Sequence, residues 1–363
     1  MNAAIVVRRW WCWPALATPL GLGLAFALGA CSPTVFAPAP GATGPNVASP
    51  SSNAASSSAP RQPHASISGK IAFSRGGNIW VFAGSGAQQA TSLPGAADPA
   101  WSPDGRELAF DRQAKNSADL YVMPYPGGQP RALSNNASRI VGNNFWEMQP
   151  DWAPDGLSLA YVSDRARTKT GVLDPAPWRI TLATGARAQL ATANQYTGGI
   201  DFPRWRPSGA SQLVYTSWAY DPQTLNPYGQ LILENTRTGR KQTLTPPGQT
   251  AFQPSWSPDG NYLALIRREP GQEGVWIMPV ADAATAAATP PGSSQSEKLV
   301  VQGMAAHPVW APDGRAIAYI ALKDGSFDLF VQALDAQLQP AGAPLALTSG
   351  WHVEAASAIS WSQ

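Results

Sequence analysis

Trp101-Ser-Pro-Asp-Gly105 decides the fold, because it returns. It stands again as Trp152-Ala-Pro-Asp-Gly156, Trp256-Ser-Pro-Asp-Gly260 and Trp310-Ala-Pro-Asp-Gly314, and Trp205-Arg-Pro-Ser-Gly209 keeps the register with Ser in place of Asp. A sixth tryptophan, Trp361, follows, so the spacings run 51, 53, 51, 54 and 51 residues. A period of about 40–50 residues built from short strands predicts a β-propeller.

The turn has a physical logic. Pro presets φ for the second position of a type I turn, Asp suits the next, and Gly takes the positive φ that closes a three-residue hairpin. Asp104, Asp155, Asp259 and Asp313 are therefore read as turn formers, although a motif search would flag them as catalytic. Trp101, Trp152, Trp205, Trp256, Trp310 and Trp361 are read as packing residues between neighbouring blades.

Each repeat reads as four strands. In one, the first strand ends at Trp101, the second is Glu107–Asp111, the third Leu120–Met123 and the fourth Arg131–Ser134. The second strand recurs at 159–162, 213–216, 263–266 and 317–320, and the third at 231–233, 275–278 and 329–331. Runs of aliphatic and aromatic residues between Gly/Pro turns are strand signals. Lys70–Phe73 is a second strand with no first strand before it, and Ser357–Trp361 a first strand with no blade after it. Pairing the two closes the ring and removes an exposed edge. The expectation is an all-β, monomeric, six-bladed propeller over residues 67–363.

The leading residues read differently. Arg8 and Arg9 precede a mostly apolar run, Trp10 to Leu28, which ends in Leu28-Gly29-Ala30-Cys31. This is the pattern of a secretory signal over residues 1–30, and its ending resembles a bacterial lipobox, which implies lipidation at Cys31. An ordinary signal peptide or an uncleaved anchor is the alternative. Residues 31–66 are rich in Ser, Ala and Pro, cannot bury enough apolar surface to order themselves, and are read as a tether. The expected location is the bacterial cell envelope, facing the periplasm or the exterior. Of 25 Lys+Arg and 23 Asp+Glu, cleavage removes two Arg, leaving no net charge. There is no basic stripe for nucleic acid.

The motif Pro-x-Trp-Ser-Pro-Asp-Gly followed by Leu-Ala-Phe resembles the TolB-type propeller repeat, also called PD40 or WD40-like. The resemblance covers about 300 residues. It implies a six-bladed envelope propeller that binds protein partners without catalysis. TolB itself binds proteins of the Tol–Pal system and carries an α/β domain before its propeller, where this sequence has only a tether. The fold and the idea of protein binding therefore carry over, and the Tol–Pal partners do not.

Fold alone does not give function, so the loops must. Connections from fourth to first strand and from second to third strand share one face. Before each first strand stand Asp98-Pro99, Gln149-Pro150, Phe202-Pro203, Gln253-Pro254 and His307-Pro308, expected to ring the channel mouth as a shaped binding site. Trp146, Trp218 and Trp351 are expected on the same face, with Glu147, Asp201, His352 and Glu354 from fourth-to-first loops. Arg75, Arg112, Arg165, Arg267 and Lys323 are expected from second-to-third loops as a solvated rim. Aromatic anchors within a charged rim point to an envelope protein or peptide partner. A glycan stacking on the three Trp is the alternative.

No HExxH, GxSxG, CxxC or phosphate loop appears. Some related propellers act on oligosaccharides through a His-coordinated metal. Here His307 and His352 lack a third ligand, so no metal, cofactor or catalytic residue is expected.

Overall fold

The computed structural model describes residues 67–166, 175–193, 198–208, 211–281 and 297–363. The chain divides into two units, 1–63 and 64–363, and every described residue belongs to the second. Cys31 and the leader and tether readings lie outside the described residues.

Among the described residues, twenty-four strands form six four-stranded antiparallel sheets. The first blade holds β1 (Ile67–Arg75), β2 (Asn78–Gly84) and β3 (Gly86–Gln89). The second holds β4 (Ala96–Trp101), β5 (Glu107–Gln113), β6 (Ala118–Pro124) and β7 (Arg131–Ala132). The third holds β8 (Glu147–Trp152), β9 (Ser158–Ser163), β10 (Ala176–Thr181) and β11 (Arg187–Gln189). The fourth holds β12 (Ile200–Trp205), β13 (Gln212–Tyr220), β14 (Pro227–Asn235) and β15 (Arg240–Thr243). The fifth holds β16 (Ala251–Trp256), β17 (Tyr262–Arg267), β18 (Gly274–Pro279) and β19 (Lys298–Gln302). The sixth holds β20 (Ala305–Trp310), β21 (Ala316–Lys323), β22 (Ser326–Ala333) and β23 (Leu345–Ala346). β24 (Ser360–Ser362) completes the first blade, pairing with β1 through Ile71 opposite Trp361. The ring is closed by joining its two ends, as the unmatched strands of the sequence predict.

The turns between first and second strands hold themselves together. Gly105 N donates to Ser102 O at 2.8 Å with Gly105 at φ +68°. Ser102 Oγ donates to Asp104 Oδ1 at 2.6 Å, and Arg106 N donates to the same oxygen. The pairs Asp155–Leu157, Asp259–Asn261 and Asp313–Arg315 repeat the backbone bond at 2.9–3.0 Å. These carboxylates are spent inside their own turns.

The core lies between blades rather than within them. Among the described residues, six apolar clusters each join one blade to the next, and each takes in one repeat Trp. Trp152 Nε1 donates to Ala100 O at 3.1 Å and Trp256 Nε1 to Arg204 O at 3.2 Å, each reaching the innermost strand of the preceding blade. Indoles used this way bury a large apolar area while keeping a partner for their N–H.

Candidate functional site: the loop face and the central channel

Every complete first strand carries the same irregularity. β4, β8, β12, β16 and β20 each break register with the next strand just before a Pro. The residue ahead of that Pro takes φ near +50°: Asp98, Gln149, Phe202, Gln253 and His307. A non-glycine residue there costs on the order of 1–2 kcal/mol. Pro has no N–H for the ladder, so the strand must bulge.

The strain is offset by a circumferential chain of hydrogen bonds. Asp98 N donates to Ser357 Oγ (2.8 Å), Gln149 N to Asp111 Oδ1 (3.0 Å) and Phe202 N to Gln149 Oε1 (2.8 Å). Gln253 N donates to Thr216 Oγ1 (3.3 Å) and His307 N to Gln253 Oε1 (2.9 Å). Each acceptor comes from the preceding blade. Ala358 N donates back across the same boundary to Asp98 Oδ1 at 2.7 Å. Phe202 and His307 meet with ring centroids 5.1 Å apart.

This geometry corrects one expectation. Asp98, Gln149, Gln253 and His307 do come together with Phe202 in a ring, but they are not presented to solvent as an open mouth. Asp98, Gln149, Phe202 and His307 are buried and Gln253 is half-buried. They latch blade to blade and plug the channel on the loop side. The sequence signal was the Pro that follows each one, since only a bulge accommodates it.

Beneath the plug lies a channel of about 470 Å³, walled by the repeat Trp and the turn prolines, with Asp151, Arg204, Gln253 and His307 among its lining. Arg204 Nη1 stands 4.0 Å from Asp151 Oδ1, and Asp151 Oδ2 accepts from Trp205 N at 2.8 Å. The sequence reading missed both charges, and it missed the role of Asp111. For the first two a signal existed. The residue ahead of each repeat Trp alternates to the other face of the innermost strand, and from that position Asp151 and Arg204 reach the channel lining.

Burial dominates the electrostatics. It raises the carboxyls of Asp98 and Asp111, Asp111 the further because Asp98 stands beside it. Burial pushes Asp151 to about 6 against the pull of Arg204, and Asp201 to about 7 against the Trp218 hydrogen bond. His307 is held down to about 3, by burial first and then by Arg204, and is neutral. Among the described residues, no group of three or more His, Cys, Asp or Glu side chains is placed to hold a metal ion.

The other predicted residues separate. Glu147 is fully buried and pairs with Arg165 (2.6 Å) and Arg187 (3.3 Å), so it lies below the face. Arg165 and Arg267 are not a solvated rim. The first is tied to Glu147, and the second is buried, pairs with Glu297 at 2.6 Å and stacks on Trp276. Trp146 is half-buried ahead of β8. Trp218 sits inside β13 rather than in a loop, donating Nε1 to Asp201 Oδ2 at 2.9 Å and packing on Phe252. Trp351 and His352 stand apart from these, beside Arg75 of the first blade.

The face is apolar elsewhere. Ile140, Val141, Tyr220, Leu225, Met304 and Leu322 are exposed large hydrophobics, and all six fall in or beside fourth-to-first or second-to-third connections. Leu225 is 73% exposed and Ile140 64%. The other two exposed large hydrophobics among the described residues are Leu157, in a turn between first and second strands, and Leu345, which opens the outer strand β23. Sequence patterning missed these residues because single apolar residues in loops look like ordinary surface.

No family model matches the chain. An uncharacterized peptidase of Bacillus subtilis is 25% identical over 214 residues, 49% of this chain and 30% of the peptidase. An uncharacterized protein of Agrobacterium fabrum is 30% identical over 177 residues, 47% of this chain and 54% of that protein. The chain thus spans about half or less of the length of these relatives. Among solved structures, TolB from Acinetobacter baumannii superposes with a TM-score of 0.60 at 17% identity, covering 82% of this chain and 67% of TolB. A TolB-type structure from Agrobacterium tumefaciens gives 0.55 at 16%, covering 81% and 98%. In fold, the chain is a TolB-like six-bladed β-propeller.

Proposed function

We propose that this propeller is a non-catalytic binding module that takes an envelope protein or peptide through its loop face, held at the membrane by a lipid on Cys31. The observation that carries the reading is that six of the eight exposed large hydrophobics among the described residues stand at loop-face connections. Six large apolar side chains rise from the loops of several blades around a plugged channel. Exposed apolar surface gathered on one face favours a macromolecular partner. The face is also rigid, since the bulge residues beneath it are latched blade to blade. A preformed surface loses less entropy on binding.

The test is crosslinking and capture in cells with the full-length protein, beside an Ile140→Asp/Leu225→Asp variant whose melting is unchanged. A protein captured by the wild type and lost by the variant supports the reading. Equal capture by both removes the loop face from it. Membrane attachment is tested separately. Cys31→Ser should move the protein from the membrane fraction to the soluble one, and an unmoved variant excludes the lipid.

A further inference from the structure

We propose that the cleft between the first and last blades is a carboxylate pocket of the loop face, built on Arg75, which takes an acidic side chain or a free C-terminus of a peptide partner. The inference rests on the protein-binding reading above and adds the chemistry that the partner must present.

Two connections make the cleft. One is the β1–β2 turn, and the other is the loop that runs from β23 to the closing strand. Together they border an open depression of about 380 Å³ lined by Arg75, Asn78, Trp80, Trp351 and His352 among others. That volume suits one or two residues rather than a folded surface.

Arg75 is held with unusual completeness for a half-buried cation. Its Nε donates to the Trp351 carbonyl oxygen at 2.7 Å. Its guanidinium carbon lies 5.1 Å from the Trp80 ring centroid and 4.8 Å from that of Trp351, and the two indoles meet edge to face at 5.5 Å. Cation–π stacking of this kind is stabilising, and it fixes the plane of the fork. With Nε and both neighbouring rings committed, the Nη edge is what remains to bind. Among the described residues no carboxylate pairs with Arg75. Glu354, from the same loop, instead accepts the Gly77 N–H at 2.7 Å. An immobilised guanidinium with an open edge is the geometry for a bidentate oxyanion.

The rest of the cleft narrows the ligand. One fixed cation matches the single charge of a carboxylate better than a phosphate dianion. Exposed His352 adds a ring donor or acceptor at the edge. The guanidinium occupies a face of each indole, which deprives a sugar ring of the flat platform it would stack on. A peptide carboxylate needs no such platform, and its chain can continue over the apolar loop face.

The full-length protein is titrated with acetyl-Gly-Glu-Gly-amide and with acetyl-Gly-Gly-Leu bearing a free carboxylate, read by indole fluorescence and indole NMR signals. The neutral partners are acetyl-Gly-Gln-Gly-amide and acetyl-Gly-Gly-Leu-amide, and glucuronate represents acidic sugars. Saturable binding of either acidic peptide, at least tenfold tighter than its neutral partner and lost at least tenfold in Arg75→Gln, is expected. Which peptide binds tells side chain from terminus. Equal binding of the neutral partners, unchanged binding by Arg75→Gln, glucuronate binding tighter than both peptides, or no saturation by either peptide overturns the inference. Should Arg75→Gln fail to fold, Arg75→Lys keeps the charge without the planar fork and should weaken binding at least threefold; an unchanged affinity counts against the pocket. Failure here with partner capture still sensitive to Ile140 and Leu225 sinks the pocket alone. Capture that ignores those residues sinks the loop-face reading.

Discussion

Asp201 shows how a single side chain sets the response of the ring to pH. Its folded value of about 7, and that of Asp151 at about 6, lie above the ordinary value near 4. Between these limits the folded state keeps protons that the unfolded chain releases, so stability from these groups falls as pH rises from about 4 to about 7. His307 acts in the opposite sense. Neutral when folded, it makes unfolding more favourable as pH falls below about 6.5. Asp201→Asn keeps an acceptor for Trp218 and removes the titrating group. It should raise Tm over wild type at pH 8 and give no gain at pH 5; equal gains at both would disprove the assignment. At this scale the sequence was partly legible. The Asp of each Pro-Asp-Gly turn bonds within two residues, so its role could be read from its neighbours. Asp111 could not be read, because its partners Gln149 and Asp98 come from another blade and another strand. Glu147 misled for the same reason: Arg165 and Arg187 approach it only through the fold.

The strands were the most readable part, since an alternating run between Gly and Pro needs no distant information. The closing strand β24 was visible as a first strand without a blade. The bulges were half visible, because each Pro announced a break while the direction of the side chain ahead of it depended on the neighbouring blade. Trp152 fills the boundary between second and third blades, and Trp152→Ala should cost about 3–5 kcal/mol, seen as a lower denaturant midpoint. A loss under about 1 kcal/mol would deny it a core role. Closure can be probed with less damage. Gly69 stands at φ +81°, and a Cβ there would meet Ser362 O at 2.1 Å in β24. Gly69→Ala should therefore destabilise by more than about 1 kcal/mol. Deletion of residues 356–363 should leave an aggregating or unfolded chain; a monomer that still melts cooperatively would refute closure by β24.

For the molecule as a whole, the two faces differ in kind. The turn face is made of short self-bonded hairpins above the channel mouth, whereas the loop face carries the exposed apolar side chains and the Arg75 cleft over a plug. The period of the repeat made the six-bladed ring legible, but not which face would be apolar, since that depends on loop residues outside the repeat. The circle itself has one more consequence. Because β24 and β1 are neighbours in one sheet, the ends of the ring lie side by side, and the choice of where the chain is cut is not forced by the architecture. A circular permutant that links Gln363 to Ile67 through a short Gly/Ser segment and opens at the Asp155–Gly156 turn would close its ring with a different blade. It should melt cooperatively and keep the same loop face. If it does not fold, order of synthesis matters to this ring as much as its final pairing.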